Sequence, residues 1–279
     1  MRLVAKTRAT SPSVISLATG ELYNWAKGRY ISWREKKKVY LNLFGFLNNA
    51  DFIVSSKLDY IPDQTPGLSA WDDPDVRTAK AIFEGVANIS TENVKIDRLA
   101  LNTQIDLKSN ICSMGGPLFN KFSRWLMGYE IPSDNFSNIP ELPYVINFQP
   151  DERCIGKGFD ELKKIHPTPN YTIMNQESGE EIYIPELNPY TNELMRDYGM
   201  IIKTKSIHKV ARSAGRKNLM IAGCYHVGTE AGGYIMEKED ILNHIWKSVN
   251  DKDFQAIYVA FVRDGHPIDV ELLEVLPLE

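Results

Sequence analysis

Apolar residues at Val39, Leu43 and Leu47, with Leu41 and Phe44 beside them, recur every three to four positions. That spacing predicts one buried helix face, with Asn48-Asn49 as its stop. A second stripe of the same period, Val76, Ala79, Ile82, Phe83 and Val86, follows "WDDPD", in which Asp72 or Asp73 can cap a helix and Pro74 can occupy its first turn. The serine–proline pair that opens "SPSVISLATGELYNWAKGRY" is another helix-start signal. Further along, the pattern shortens. "DFIV", "NICSM", "ELPYVINFQ", "DYGMIIKTKS" and "NLMIAG" are brief apolar or β-prone runs, as expected of strands. "YTIMNQESGEEIYIPEL" reads as a hairpin whose Gly179 takes a positive φ. "GTEAGGYIMEKEDILNHIWKSV" reads as a helix or a broken pair of helices, and "DFQAIYVAFVRDGHPIDVELLEVL" as two strands around Asp264-Gly265.

Strands and helices alternate through the middle and the C-terminal part. Alternation of that kind predicts an α/β fold with helices on both faces of the sheet. The expected architecture is a Rossmann-like layered sandwich with a mixed, mainly parallel sheet and a helical N-terminal part. Residues 1–95 are assigned to that helical part, packed on the core, and residues 96–279 to a nucleotide-binding-like α/β core.

Composition narrows the function classes. The 279 residues are 43% hydrophobic and 24% charged, which is ordinary globular usage, and the net charge is −4. An acidic chain is a poor general binder of nucleic acid. The basic runs "WREKKKVY" (33–40) and "KTKSIHKVARSAGRK" (203–217) are read as solvated faces. Three cysteines, Cys112, Cys154 and Cys224, with no CxxC, fit a reducing compartment and no structural zinc. The five histidines show no HxH or HExxH spacing, so no metal site is expected, and the cofactor is left unknown. No apolar run approaches the roughly 20 residues of a membrane span, and the N-terminus lacks a secretion-signal core. A cytoplasmic location without membrane attachment is expected.

Two stretches carry candidate chemistry. In "SMGGPLFN", Gly115 and Gly116 allow a sharp turn, and Pro117 suits the first turn of the next helix. Backbone N–H groups at such a helix start favour an anion. Asn120 can add an amide and Arg124 a charge. In "AGCYHVGTEAGG", Gly223 ends a strand, and Gly228 and Thr229 lie at the next helix start. Asp197, ahead of Tyr198-Gly199, can reach a ribose hydroxyl or serve as a turn or cap residue. In open α/β sheets ligands bind beyond the carboxyl ends of parallel strands, so two such turns can share one ligand. The idea requires the two turns at one sheet edge and amides not taken by the protein's own side chains. Neither stretch is a P-loop or a GxGxxG fingerprint.

"GGPLFN", then "DYGMI", then "AGCYHVGT" resembles a pattern of uncharacterised prokaryotic α/β domains: GGPxxN, DYG-I and AGxxxxGT. The similarity spans about residues 105–235. It carries the fold and no established activity.

The expected function is binding of a nucleotide-like or other phosphate-bearing small molecule between the two turns, in a sensor or regulatory module. The alternative is a nucleotide hydrolase of N-glycosidase type, with Glu230 stabilising an oxocarbenium-like centre and His226 beside it as acid or base. A second alternative is a structural or assembly subunit without ligand. A protein partner or self-association through Tyr23, Trp25, Tyr30 and Trp33 of the N-terminal helices is also open.

Overall fold

The computed structural model describes residues 38–54, 78, 108–117, 120–129, 135, 136, 139–147 and 171–279. The strands are β1 (Ala50–Val54), β2 (Asn110–Met114), β3 (Tyr144–Ile146), β4 (Ile173–Asn175), β5 (Glu181–Tyr183), β6 (Glu186–Leu187), β7 (Leu194–Lys205), β8 (Lys217–Gly223), β9 (Asp253–Arg263) and β10 (His266–Leu278). The helices are α1 (Lys121–Leu126), α2 (Lys209–Ser213), α3 (His226–Glu237) and α4 (Glu239–Val249). Ahead of them, residues 38–44 are helical and run into a 3-10 turn, Gly45–Asn49.

A seven-stranded sheet runs in the order β1-β2-β8-β7-β9-β10, with β6 paired to β7. A second, three-stranded antiparallel sheet is β3-β4-β5. The expected α/β Rossmann-like sandwich with a mainly parallel sheet is therefore corrected: the described chain is mostly β, with few helices. Among the described residues only β1–β2 and β2–β8 pair in parallel, whereas β8–β7, β7–β9, β9–β10 and β6–β7 are antiparallel. The reason lies in the connections. A parallel pair needs a long crossover that carries the chain back to the same end of the sheet. The link from β7 to β8 is residues 206–216 with the short α2, and the link from β9 to β10 is Asp264-Gly265, both with positive φ. Each returns the chain at once and imposes the opposite direction.

The predicted helical stretches before residue 38 and most of the one at 69–89 lie outside the described residues, as do Tyr23, Trp25, Tyr30 and Trp33. Among the described residues before 95, one strand joins the large sheet: β1 pairs with β2 from Ala50–Asn110 to Val54–Met114.

Strand alternation sorts the apolar residues into two cores. Cys112, Met114, Leu219, Ile221, Ile201, Phe254, Ala256 and Tyr258 meet the helix at 38–44 together with α3 and α4. Their neighbours Ile111, Met220, Ala222, Met200, Ile202 and Ile257 meet α1 and the small sheet. Both faces of the sheet are thus covered, by helices on one side and by a helix plus three strands on the other. That explains why β8 shows no polar position between Asn218 and Gly223.

Candidate functional site

The β2–α1 and β8–α3 turns lie at one end of the sheet, because β2 and β8 are adjacent and parallel. They are tied directly, the Gly115 N–H donating to the Ile221 carbonyl at 2.9 Å. A Cβ on Gly116 would stand 3.3 Å from the Gly223 carbonyl oxygen. The first requirement of the sequence argument, two turns at one edge, is present.

The second is not. Asn120 caps α1: its Oδ1 accepts from the Phe122 and Ser123 amides at 3.0 and 3.2 Å, and its Nδ2 donates to the Met114 carbonyl. Ser123 Oγ donates to the Gly115 carbonyl at 2.8 Å and closes the turn. At α3 the acceptor is Asp197, fully buried on β7. Its carboxylate takes the Gly228 amide at 2.6 Å, the Tyr225 amide at 3.1 and 3.2 Å, and its neighbour Tyr198's amide at 2.8 Å. Asp197 therefore occupies the position in which an external anion would meet the α3 amides. A Cβ at residue 228 would lie 2.8 Å from Asp197 Oδ2, so glycine there is a condition of this cap. Thr229 turns its Oγ1 back to accept from the Gly223 amide at 2.9 Å rather than toward a ligand.

Burial pushes the Asp197 carboxyl up to about 7, against the three amides, which pull it down. The same burial raises the Cys224 thiol behind it, so Cys224 is an inert filler at this turn.

Glu230 and His226 are four residues apart on α3 but have different surroundings. His226, the first residue of the helix, is exposed, whereas Glu230 is buried, with Oε2 4.0 Å from Nδ1 of His266 at the β9–β10 turn. Arg124 is half-buried in the last turn of α1. The N-terminal part reaches this end of the molecule, since Thr78 Oγ1 donates to the Thr229 carbonyl at 2.9 Å. Among the described residues no group of three or more His, Cys, Asp or Glu is assembled that could hold a metal, and no helix is long and apolar enough to cross a membrane.

Several side chains at this end escaped the sequence reading. Tyr258, fully buried on β9, donates its hydroxyl to the Gly228 carbonyl at 2.8 Å. A Cβ on Gly199 would come within 2.5 Å of that ring, and one on Gly232 within 2.7 Å of its oxygen. Two glycines in apolar surroundings were the available signal that a large group fills the space, though not which one. Tyr225 caps α3 through its backbone and sets its half-buried ring edge-on to Tyr171, with centroids 5.8 Å apart. Lys121, the first residue of α1, is exposed, with Nζ 5.4 Å from the centre of the Trp125 ring. No family model matches the chain, and no curated protein or solved structure matches it either.

Proposed function

We propose that the rim where the β2–α1 and β8–α3 turns meet binds a nucleotide-like, phosphate-bearing small molecule, and that the protein acts as a sensor or regulatory module for it. The observation that carries this reading is the hydrogen bond from the Gly115 amide to the Ile221 carbonyl, which locks both turns into one rim. Asn120 and Asp197 already serve the helix-start amides, so the anion would be met by side chains. Each helix begins with an exposed basic residue, Lys121 on α1 and His226 on α3, and the half-buried Tyr225 and Tyr171 rings offer a surface for a base. Binding without turnover is favoured over glycosidic hydrolysis because Glu230 lies beside His266 while His226 faces solvent.

The test is a panel of mono-, di- and trinucleotides and inorganic phosphate, followed by melting temperature and by product formation. One member is expected to stabilise the protein without being consumed. Lys121→Ala and His226→Ala are each expected to weaken it about tenfold, the worth of roughly 1.4 kcal/mol of lost charge contact. Affinity is expected to fall as pH rises through 7, where the buried Asp197 beside the α3 start becomes anionic. Turnover abolished by Glu230→Gln would replace this reading with the hydrolase. No stabilisation by any member would remove both.

A further inference from the structure

Six residues beyond Asp197 on the same strand stands a second buried ionisable group. Lys203 pairs with Leu219 of β8 and Phe254 of β9, at the opposite end of the sheet from the rim. Its side chain is 0% exposed. Among the described residues its Nζ finds no hydrogen-bond partner, and it lies 5.9 Å from the centre of the Phe254 ring. An ammonium has three donors, and burying it without acceptors is expensive. Among the described residues the nearest counter-charge is Asp251 in the turn between α4 and β9, whose Oδ1 is 3.9 Å from Lys203 Nζ and 3.7 Å from Lys217 Nζ. Both separations exceed the roughly 2.7–2.9 Å of a charged N–H···O bond. A single carboxylate oxygen thus sits between two amines and bonds to neither. Asp251 is itself 79% exposed, so it approaches the buried amine from the solvent side. The other acid here, Asp253, is engaged, its Oδ2 accepting from the Lys205 amide at 2.7 Å.

We propose that Lys203 and Lys217 form a binding site for a small tetrahedral oxyanion of the phosphate class, with Asp251 as its internal stand-in. A tetrahedral anion presents several acceptor oxygens a few ångströms apart, enough to bond to both amines where one carboxylate oxygen reaches neither. It would also supply acceptors to a buried amine that has none. The state of that amine agrees. Burial first, and then the neighbouring Lys217, lower it to about 8, although Asp251 and Asp253 pull the other way. A bound anion restores the charged form, so binding above that pH takes up a proton. The site is separate from the rim of the proposed function and stands or falls independently.

The experiment is calorimetric titration of the full chain with inorganic phosphate, with acetate as the carboxylate control, at about pH 8.5 in buffers of different ionisation heat. Saturable phosphate binding in the millimolar range or tighter, with proton uptake and little response to acetate, is expected. Lys203→Met, a substitution of similar shape and no charge, is expected to weaken phosphate at least tenfold in a protein that still melts cooperatively. Asp251→Asn, on the surface, is expected to tighten it severalfold. Absence of saturable phosphate binding in the wild type overturns the proposal. So does equal binding by Lys203→Met, or weaker binding by Asp251→Asn.

Discussion

β7 carries two buried charges that are handled in opposite ways. Asp197, at the rim end, has backbone amides on both carboxylate oxygens. Lys203, at the other end, has among the described residues no hydrogen bond and only a distant carboxylate. Burial shifts both toward neutrality, the acid up to about 7 and the amine down to about 8. They share a strand, a face and a depth, and differ in what the local backbone offers. A helix start supplies unmet donors, so an acid buried there becomes structural. A strand end beside a second lysine offers an amine nothing, so the base stays unsatisfied. Burial alone does not say whether a charge stabilises. The partner does.

The contrast is broken most severely at Asp197. Asp197→Ala leaves the Gly228, Tyr225 and Tyr198 amides without their acceptor, and an unmet buried donor costs about 1–3 kcal/mol. Partial relief by water leaves an expected loss of about 3–5 kcal/mol, read from urea unfolding. Lys203→Met should do the reverse. Removing a buried charge that lacks hydrogen bonds is expected to be neutral or to stabilise by about 1–2 kcal/mol. If both substitutions destabilise alike, the two ends are not different in kind.

The pH dependence sharpens the same comparison, because the two groups carry opposite signs. Asp197 is raised from 3.8 to about 7 in the folded state, so the native protein holds the extra proton between those values. Its contribution to stability is fully present below about pH 4 and is lost as pH rises through 7. Lys203 is lowered from 10.5 to about 8, so between those values the unfolded chain holds the extra proton and stability rises with pH. Subtracting the unfolding profile of Asp197→Asn from that of the wild type is expected to isolate the falling limb, and subtracting that of Lys203→Met the rising one. A flat difference for either would show that its group is solvated in the folded protein.

Much of this was legible locally. The hairpin at 171–187, with Gly179 at φ 72°, and the terminal pair around Asp264-Gly265 follow from turn residues and strand alternation, which depend only on near neighbours. The direction of β7 was not legible, because it depends on which strand each connection returns beside. Asp197 was singled out, with a ribose hydroxyl and a turn or cap role as alternatives, and a cap is what it forms. The amides that it serves lie on a turn about thirty residues later, and nothing near Asp197 announces them. Lys203 was hidden by composition. It opens a run rich in lysine and arginine, 203–217, that reads as a solvated face, yet it directly follows the apolar stretch "MII" and, like Thr204, is still buried before the strand becomes exposed at Lys205.

The smallest expected effect tests whether the rim is one cooperative unit. Gly228 donates its amide to Asp197 and accepts the Tyr258 hydroxyl on its carbonyl, so a single peptide segment is held from two strands. Tyr258→Phe keeps the ring that fills the space left by Gly199 and Gly232 and removes only the hydroxyl. The expected loss is about 1 kcal/mol, the net worth of one buried hydrogen bond. If the two contacts position Gly228 jointly, Tyr258→Phe should cost less in an Asp197→Asn background, where the segment is already loosened. A double-mutant cycle should then give about 0.5–1 kcal/mol of coupling. Additive losses would mean that Asp197 caps α3 without help from β9, and the rim would have to be treated as two turns rather than one.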